Sequence, residues 1–397
     1  MKLATTVMVR DEADIIGAML DHHLAQGVDV IIVTDNGSVD GTTDILQGYA
    51  DRGLIELRHD PTHRKQQAPV VTQMARDAAS LHGADWVINA DADEFFVPVD
   101  RSLTLHEVFE QLDPAIKAFL VPVTNLTGPA AASGSGLGRL TYRDERPEAA
   151  LRATGLRAHP TADAIHVGDP QIDVIQGNHF VSLASQGAPP EALAIEVLHL
   201  PWRSWEQYRN KVEIAGRAYD DNPELSPSPN HHGMRDYRRL QAGALLPFYL
   251  LRHPDEAELA EGLAAGHFRR DDTLTGLASP VPDGEFEAEV LERFRSVAPA
   301  LRDAEARSHA SLVALDEQHR VALAEQQAAF DQQLADERQR AADEAAAVEQ
   351  EFVRTRQELE LTRVHVGSLE ARLATLEGRP LVRVENKVRR VLTRART

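Results

Sequence analysis

Residues 3–90 alternate between two hydrophobic periods, and that alternation limits the folds open to the chain. LATTVMV (3–9) is a short apolar, β-branched run, and VDVIIVT (28–34), LIEL (54–57) and WVINA (86–90) are further strand-like runs. Between them lie DIIGAMLDHHLAQG (14–27), GTTDILQGYADRG (41–53) and APVVTQMARDAASLHG (68–83), with apolar residues at helical spacing and glycine near each end. Strands that are apolar on both faces and separated by helices predict a mostly parallel sheet covered by helices on both sides, an α/β fold.

Ligands of such sheets bind at the carboxyl ends of the strands. Three polar clusters fall there: Arg10, Asp11 and Glu12 after the first strand; Asp35, Asn36, Gly37, Ser38 and Asp40 after the second; and Asp91, Asp93 and Glu94 after the fourth. The formal net charge of −20 excludes nucleic acid as the main partner, because phosphate backbones select basic surfaces. In so acidic a chain, two carboxylates spaced D-x-D at a strand end suit a hard divalent cation, Mn²⁺ or Mg²⁺, bridging protein to a phosphate-bearing ligand. The chain contains no cysteine, which excludes disulfides and thiolate chemistry and fits a reducing cytoplasm. Its first residues do not read as a signal peptide, and no apolar run is long enough to span a bilayer.

Taken together, MVRDEADIIGAMLDHHLAQGVDVIIVTDNGSVDGTTDIL and ADWVINADADEFF resemble family 2-type nucleotide-sugar glycosyltransferases, especially the branch similar to family 92. Asp11 stands where that pattern often has Asn. GNHFV (177–181) and VLHLPWRSWEQYRNKVEIAG (197–216) look like the same branch's later core motif. The resemblance implies a GT-A fold, Rossmann-like, over residues 1–275. It implies nucleotide-sugar contacts by Asp11, Glu12 and Asp35, with Lys65 and Arg203 neutralising phosphate, and a catalytic set of Asp91, Asp93 and Glu94. The metal ligands expected are Asp91 and Asp93, joined by a downstream histidine, His199 or His179. Lys211 reads as an exposed helix position, and Trp202 and Trp205 as packing residues. A carboxylate base for the acceptor hydroxyl is open among Asp169, Asp173, Glu94 and Glu196. The partners implied are a nucleotide-sugar donor and a glycan or lipid-linked acceptor. A nucleotidyltransferase would share sheet and cation but wants a glycine-rich basic loop after the first strand, and VRDEAD is neither. A scaffold with a degenerate sheet domain would have no reason to keep three acidic loops.

Proline and glycine nearly vanish from residue 300 onward, which sets a linker over 276–299 and a separate helical region over 300–377. There Phe352, Thr355, Leu359, Thr362, Val366, Leu369, Leu373 and Leu376 recur in steps of three and four, the seam of a coiled coil and an expected route to a homo-oligomer. Residues 378–397 carry seven Lys and Arg against Glu385, with Leu381, Val384, Val388 and Val391 on one helical face. Such a basic amphipathic tail suits peripheral contact with an anionic membrane, here expected at its inner, cytoplasmic face.

Overall fold

The computed structural model describes residues 1–61, 67–175, 177–220, 232–278 and 281–394. They divide into two compact units, Met1–Arg307 and Ser308–Thr397. The alternating region forms β1 (Leu3–Val9), α1 (Ile16–Ala25), β2 (Val30–Asp35), α2 (Thr42–Asp51), β3 (Glu56–His59), α3 (Gln67–Ser80) and β4 (Trp86–Ala90). It is followed by β5 (Glu94–Pro98), α4 (Leu105–Gln111), β6 (Ala118–Val121), β7 (Val123–Thr127), β8 (Tyr142–Asp144), α5 (Glu148–Ala153), β9 (Asp163–Val167) and β10 (Ile195–His199).

The first sheet has the order β3-β2-β1-β4-β9-β6. Strands β1 to β4 pair in parallel, and β9 runs antiparallel to both β4 and β6. The period-two pattern of the strands divides the core into two layers. Leu3, Val7, Ile31, Val33, Trp86 and Ile88 pack with Met19 and Leu20 of α1, Leu46 of α2 and Phe109 of α4. Ala4, Ile32 and Val87 point the other way, onto Val71, Met74, Ala75 and Ala78 of α3. Both faces are therefore covered, as strands without polar alternation require. The third strand starts two residues later than LIEL implies: Ile55 is buried, but ladder pairing runs from Glu56 to His59.

Register places the site. Val9 lies beside Asp35, and Val7 beside Ala90, so the loops after β1, β2 and β4 leave one edge side by side. After β4 the chain turns within three residues into β5, which belongs to a second sheet of order β11-β8-β7-β10-β5, where β11 is Phe268–Arg270. In that sheet Glu94 pairs with His199, and His199 with Asn125. Helices α6 (Trp205–Asp220), α7 (His232–Gln241) and α8 (Leu245–Arg252) follow, with Tyr208, Val212, Tyr237, Leu245 and Tyr249 forming a third core. Trp202 and Trp205 pack against this core, as packing residues should. Between α8 and β11 lies α9 (Glu256–Ala265).

Helix α10 (Ala288–Glu377) begins well before residue 300. Its first part belongs to the body: Arg295 donates to the His253 carbonyl at 3.0 Å, Arg302 to that of Ala153 at 2.9 Å, and Glu305 accepts from Arg239 at 2.7 Å. The divide thus falls after Arg307 rather than near 300, and the stretch expected as linker includes packed helix. In the second unit the seam side chains of α10 are exposed, and α11 (Pro380–Arg394) follows it. Among the described residues no helix is long and apolar enough to cross a membrane.

Candidate active site

The first two loops are clasped by their own polar side chains. Asp11 has left-handed backbone, φ 55°; its N–H donates to Ser38 Oγ at 3.0 Å, and its Oδ1 accepts from the Val39 N–H at 2.7 Å. Asp35 Oδ1 accepts from the Ser38 N–H (3.0 Å) and Oγ (2.7 Å), while Oδ2 accepts from Thr43 Oγ1 at 2.5 Å. Asp40 accepts from the Thr42 N–H at 3.0 Å and from the Ala13 N–H at 3.0 Å, which ties the start of α2 to the first loop. The aspartates of DNGSVDG are therefore first of all loop-forming residues, each side chain replacing a backbone turn contact.

Asp93, almost fully buried, collects two cationic side chains and a histidine. Lys211 Nζ lies 2.7 Å from its Oδ2, Arg203 3.5 Å and His199 Nε2 3.6 Å from the same oxygen. Burial pushes the Asp93 carboxyl up, but Lys211, then His199 and Arg203, outweigh it and hold the group well below the usual carboxylate range. Arg203 has no exposed surface; it donates to Asp14 Oδ2 at 2.8 Å and also to Glu12, and so binds the first loop to the turn before α6. Gln207 and Lys211, one turn apart on α6, both face Glu12, at 3.3 and 3.7 Å. Burial raises Glu12 above its ordinary value, against the pull of Arg203 and Lys211.

The other carboxyls of the turn behave differently. Asp91 Oδ1 accepts from Gln67 at 2.9 Å and from Asn178 at 3.3 Å. Burial, then the nearby Asp93, push Asp91 up to about 6. Glu94 accepts from the Asp91 N–H at 2.9 Å; burial and then Asp91 raise it well above the ordinary range. His199 Nδ1 is hydrogen-bonded to Asn125 Oδ1 at 2.9 Å, which turns Nε2 toward Asp93. His179 pairs with Asp163 at 3.0 Å, a hydrogen bond that raises its pKa.

A divalent cation suits this donor set. The hard oxygens of Asp91 and Asp93 and the Nε2 of His199 are the ligand types such ions take. Nearby, Asp163 Oδ2 and Asn178 Oδ1 are buried acceptors with no hydrogen-bond donor among the described residues. Among the described residues no group of three His, Asp or Glu side chains converges to hold a metal ion. Lys211 occupies Asp93 Oδ2 and would have to swing away, as its half-exposed side chain can.

The structure brings Glu12, Asp91, Asp93, Glu94, His199 and Arg203 together and puts Asp11 and Asp35 in the adjoining loops. Lys65 lies outside the described residues. Arg203 is occupied by three carboxylates, so it neutralises the protein's own charge. Lys211 is exposed on α6, as expected, but its ammonium is seated on Asp93, and spacing from Gln207 is the sequence signal that points to it. Asp14, Asn125, Asp163 and Asn178 also belong to the cluster, and Asn178 sits in the quoted GNHFV. Of the base candidates, Glu196 is paired with Arg101 at 2.7 Å and with Arg143, which outweigh burial and lower its proton affinity. Asp173 pairs with Arg76 at 2.6 Å, and Asp169 accepts from the Gln171 N–H at 2.8 Å.

Residues 4–120, which span the loops after β1, β2 and β4, match the family model of glycosyltransferase family 92. The resemblance carried by the motifs is thereby matched over that part of the chain. No curated protein matches it. Among solved structures the chain is similar to S. aureus TarS 1–349, at 13% identity and a TM-score of 0.32, over 64% of this chain and 81% of that one. It is similar also to TarS 1–349 in complex with UDP-GlcNAc, at 12% identity and a TM-score of 0.32, over 72% and 99%. A third is the complex of TarS 1–349 with UDP, at 14% identity and a TM-score of 0.31, over 62% and 81%.

Proposed function

We propose that the chain is a glycosyltransferase with a GT-A-type catalytic domain, which moves a sugar from a nucleoside diphosphate sugar to a hydroxyl of a glycan or lipid-linked acceptor. The observation that carries this reading is the meeting of the acidic turn after β4 with the loops after β1 and β2, inside the segment that matches the family model. In the reaction the acceptor oxygen bonds to the anomeric carbon, the bond from that carbon to the diphosphate oxygen breaks, and the hydroxyl proton passes to a carboxylate. Asp93, His199 and Asp91 would hold Mn²⁺ or Mg²⁺, which when bound offsets the charge gathering on the leaving diphosphate. Lys211, released from Asp93, would meet that diphosphate. Asp11 and Asp35 shape the wall against which base and ribose would lie.

The experiment is a screen of UDP- and GDP-sugars for release of nucleoside diphosphate, with and without chelator. Release from one donor, lost in EDTA and regained with Mn²⁺ or Mg²⁺, is expected. Release that persists in excess EDTA removes the cation from the mechanism, and no release or binding of any donor removes the glycosyltransferase reading.

The C-terminal helices serve assembly and localisation in this reading, not chemistry. Exposed Val384, Val388 and Val391 share one face of α11 amid its Arg and Lys residues, which suits contact with anionic lipid at a cytoplasmic membrane face.

A further inference from the structure

The second unit leaves an apolar seam uncovered. Phe352, Leu359, Val366, Leu369, Leu373 and Leu376 are 47–69% exposed on a continuous helix. In a heptad frame Phe352, Leu359, Val366 and Leu373 take position a, and Thr355, Thr362, Leu369 and Leu376 take position d. Thr362 donates its hydroxyl to the Glu358 carbonyl at 2.8 Å, so covering it strands no polar group.

The flanking charges identify what covers the seam. Position g is Glu351, Glu358, His365 and Arg372; position e is Arg356, Arg363, Glu370 and Glu377. In a parallel, in-register pair each g residue faces the e residue of the partner's next heptad. The facing pairs are then Glu351 with Arg356, Glu358 with Arg363, His365 with Glu370, and Arg372 with Glu377. None is like-charged. A slip of one heptad sets Glu358 against Glu370. An antiparallel pair that keeps every seam residue in contact sets Arg363 against its own copy. We propose that residues 351–377 form a parallel, in-register coiled coil with a second copy of this chain. This goes beyond the catalytic reading and does not depend on it.

The test uses the full chain, which has no cysteine of its own. Leu369→Cys and Leu359→Cys place a single thiol in the seam. In a parallel pair each variant alone oxidises to a covalent dimer, because like positions face each other, and a mixture gives no bond between position 359 of one chain and position 369 of the other. An antiparallel pair gives the reverse: cross-linking in the mixture and none in either variant alone. A full-length chain that is monomeric by light scattering at tens of micromolar overturns the proposal outright. Orientation is checked separately by charge. Arg363→Glu should raise the dimer dissociation constant roughly tenfold at low salt, and adding Glu358→Arg to the same chain should restore it. An unchanged dissociation constant in Arg363→Glu removes the charge ladder as the source of register.

Discussion

Arg203 has no solvent contact, yet its guanidinium serves Glu12, Asp14 and Asp93 at once. Removing it strands buried carboxylates, so Arg203→Met should cost about 3–5 kcal/mol of unfolding free energy in a urea titration. Lys211→Ala is the contrast. Its ammonium is half-exposed, so the stability loss should stay under about 1 kcal/mol, while affinity for a nucleoside diphosphate, read by calorimetry, falls at least tenfold. Equal stability losses in the two variants would contradict the division between a structural and a ligand-facing cation. The acids of this site were legible as carboxylates at strand ends, because strand period and loop position alone put Asp11, Glu12, Asp35, Asp91 and Asp93 on one edge. Of their partners, Arg203 and His199 were legible from the motif, but Gln207 and Lys211 were not. Gln207 and Lys211 arrive from more than a hundred residues away, and which face of α6 meets Glu12 is decided by packing on α7 and α8, which no local pattern records.

At the level of elements, α6 owes its seat to Gly216. A Cβ there would lie 2.1 Å from the ring of Tyr237, so α7 could not keep its approach. Gly216→Ala should destabilise by about 1–3 kcal/mol through overpacking and lower donor affinity by shifting Lys211; full stability with normal affinity would show that α7 yields freely. The parallel core was legible for a related reason: strands buried on both faces have no polar alternation, and three of them, β1, β2 and β4, announced the sheet. The start of α10 was not, since loss of proline and glycine marks where a helix is uninterrupted, not where it leaves the body. The first turns of α10 hold the body through Leu291, Phe294 and buried Ala298 and through the polar contacts of Arg295, Arg302 and Glu305, partners set by the third core rather than by local sequence. A chain ending at Arg307 should therefore match the full chain in thermal stability of its catalytic unit and in nucleotide binding, whereas one ending at residue 290 should melt several degrees lower. Equal melting temperatures would return the boundary to the linker.

For the molecule as a whole, buried histidines set the response to acid. Burial holds His22 below its ordinary value, pushes His23 and His253 down to about 3 and His166 to about 4. Unfolded, each titrates near 6.5, so below that pH the unfolded chain binds more protons than the native one. Each histidine then lowers stability by about 1.4 kcal/mol per pH unit as pH falls from 6.5 toward its folded value. Asp91 acts in the opposite sense: raised to about 6 in the fold, it favours the native state as pH drops from about 6 to 4 and blunts the loss, and Glu94, raised above its ordinary value, acts in the same sense. Denaturant midpoints should fall as pH drops below 6.5, and a midpoint independent of pH between 7 and 5 would refute the histidine account. The first sheet, finally, ends on both sides in a strand of four residues. On β3, Arg58 is paired with Glu56 and Asp77, and Glu56 also with His82; β6 is bracketed by Lys117 and Pro122. Short, charged, proline-stopped borders are poor templates for a foreign strand. The catalytic unit is thereby protected from runaway edge-to-edge aggregation even when many copies are crowded together.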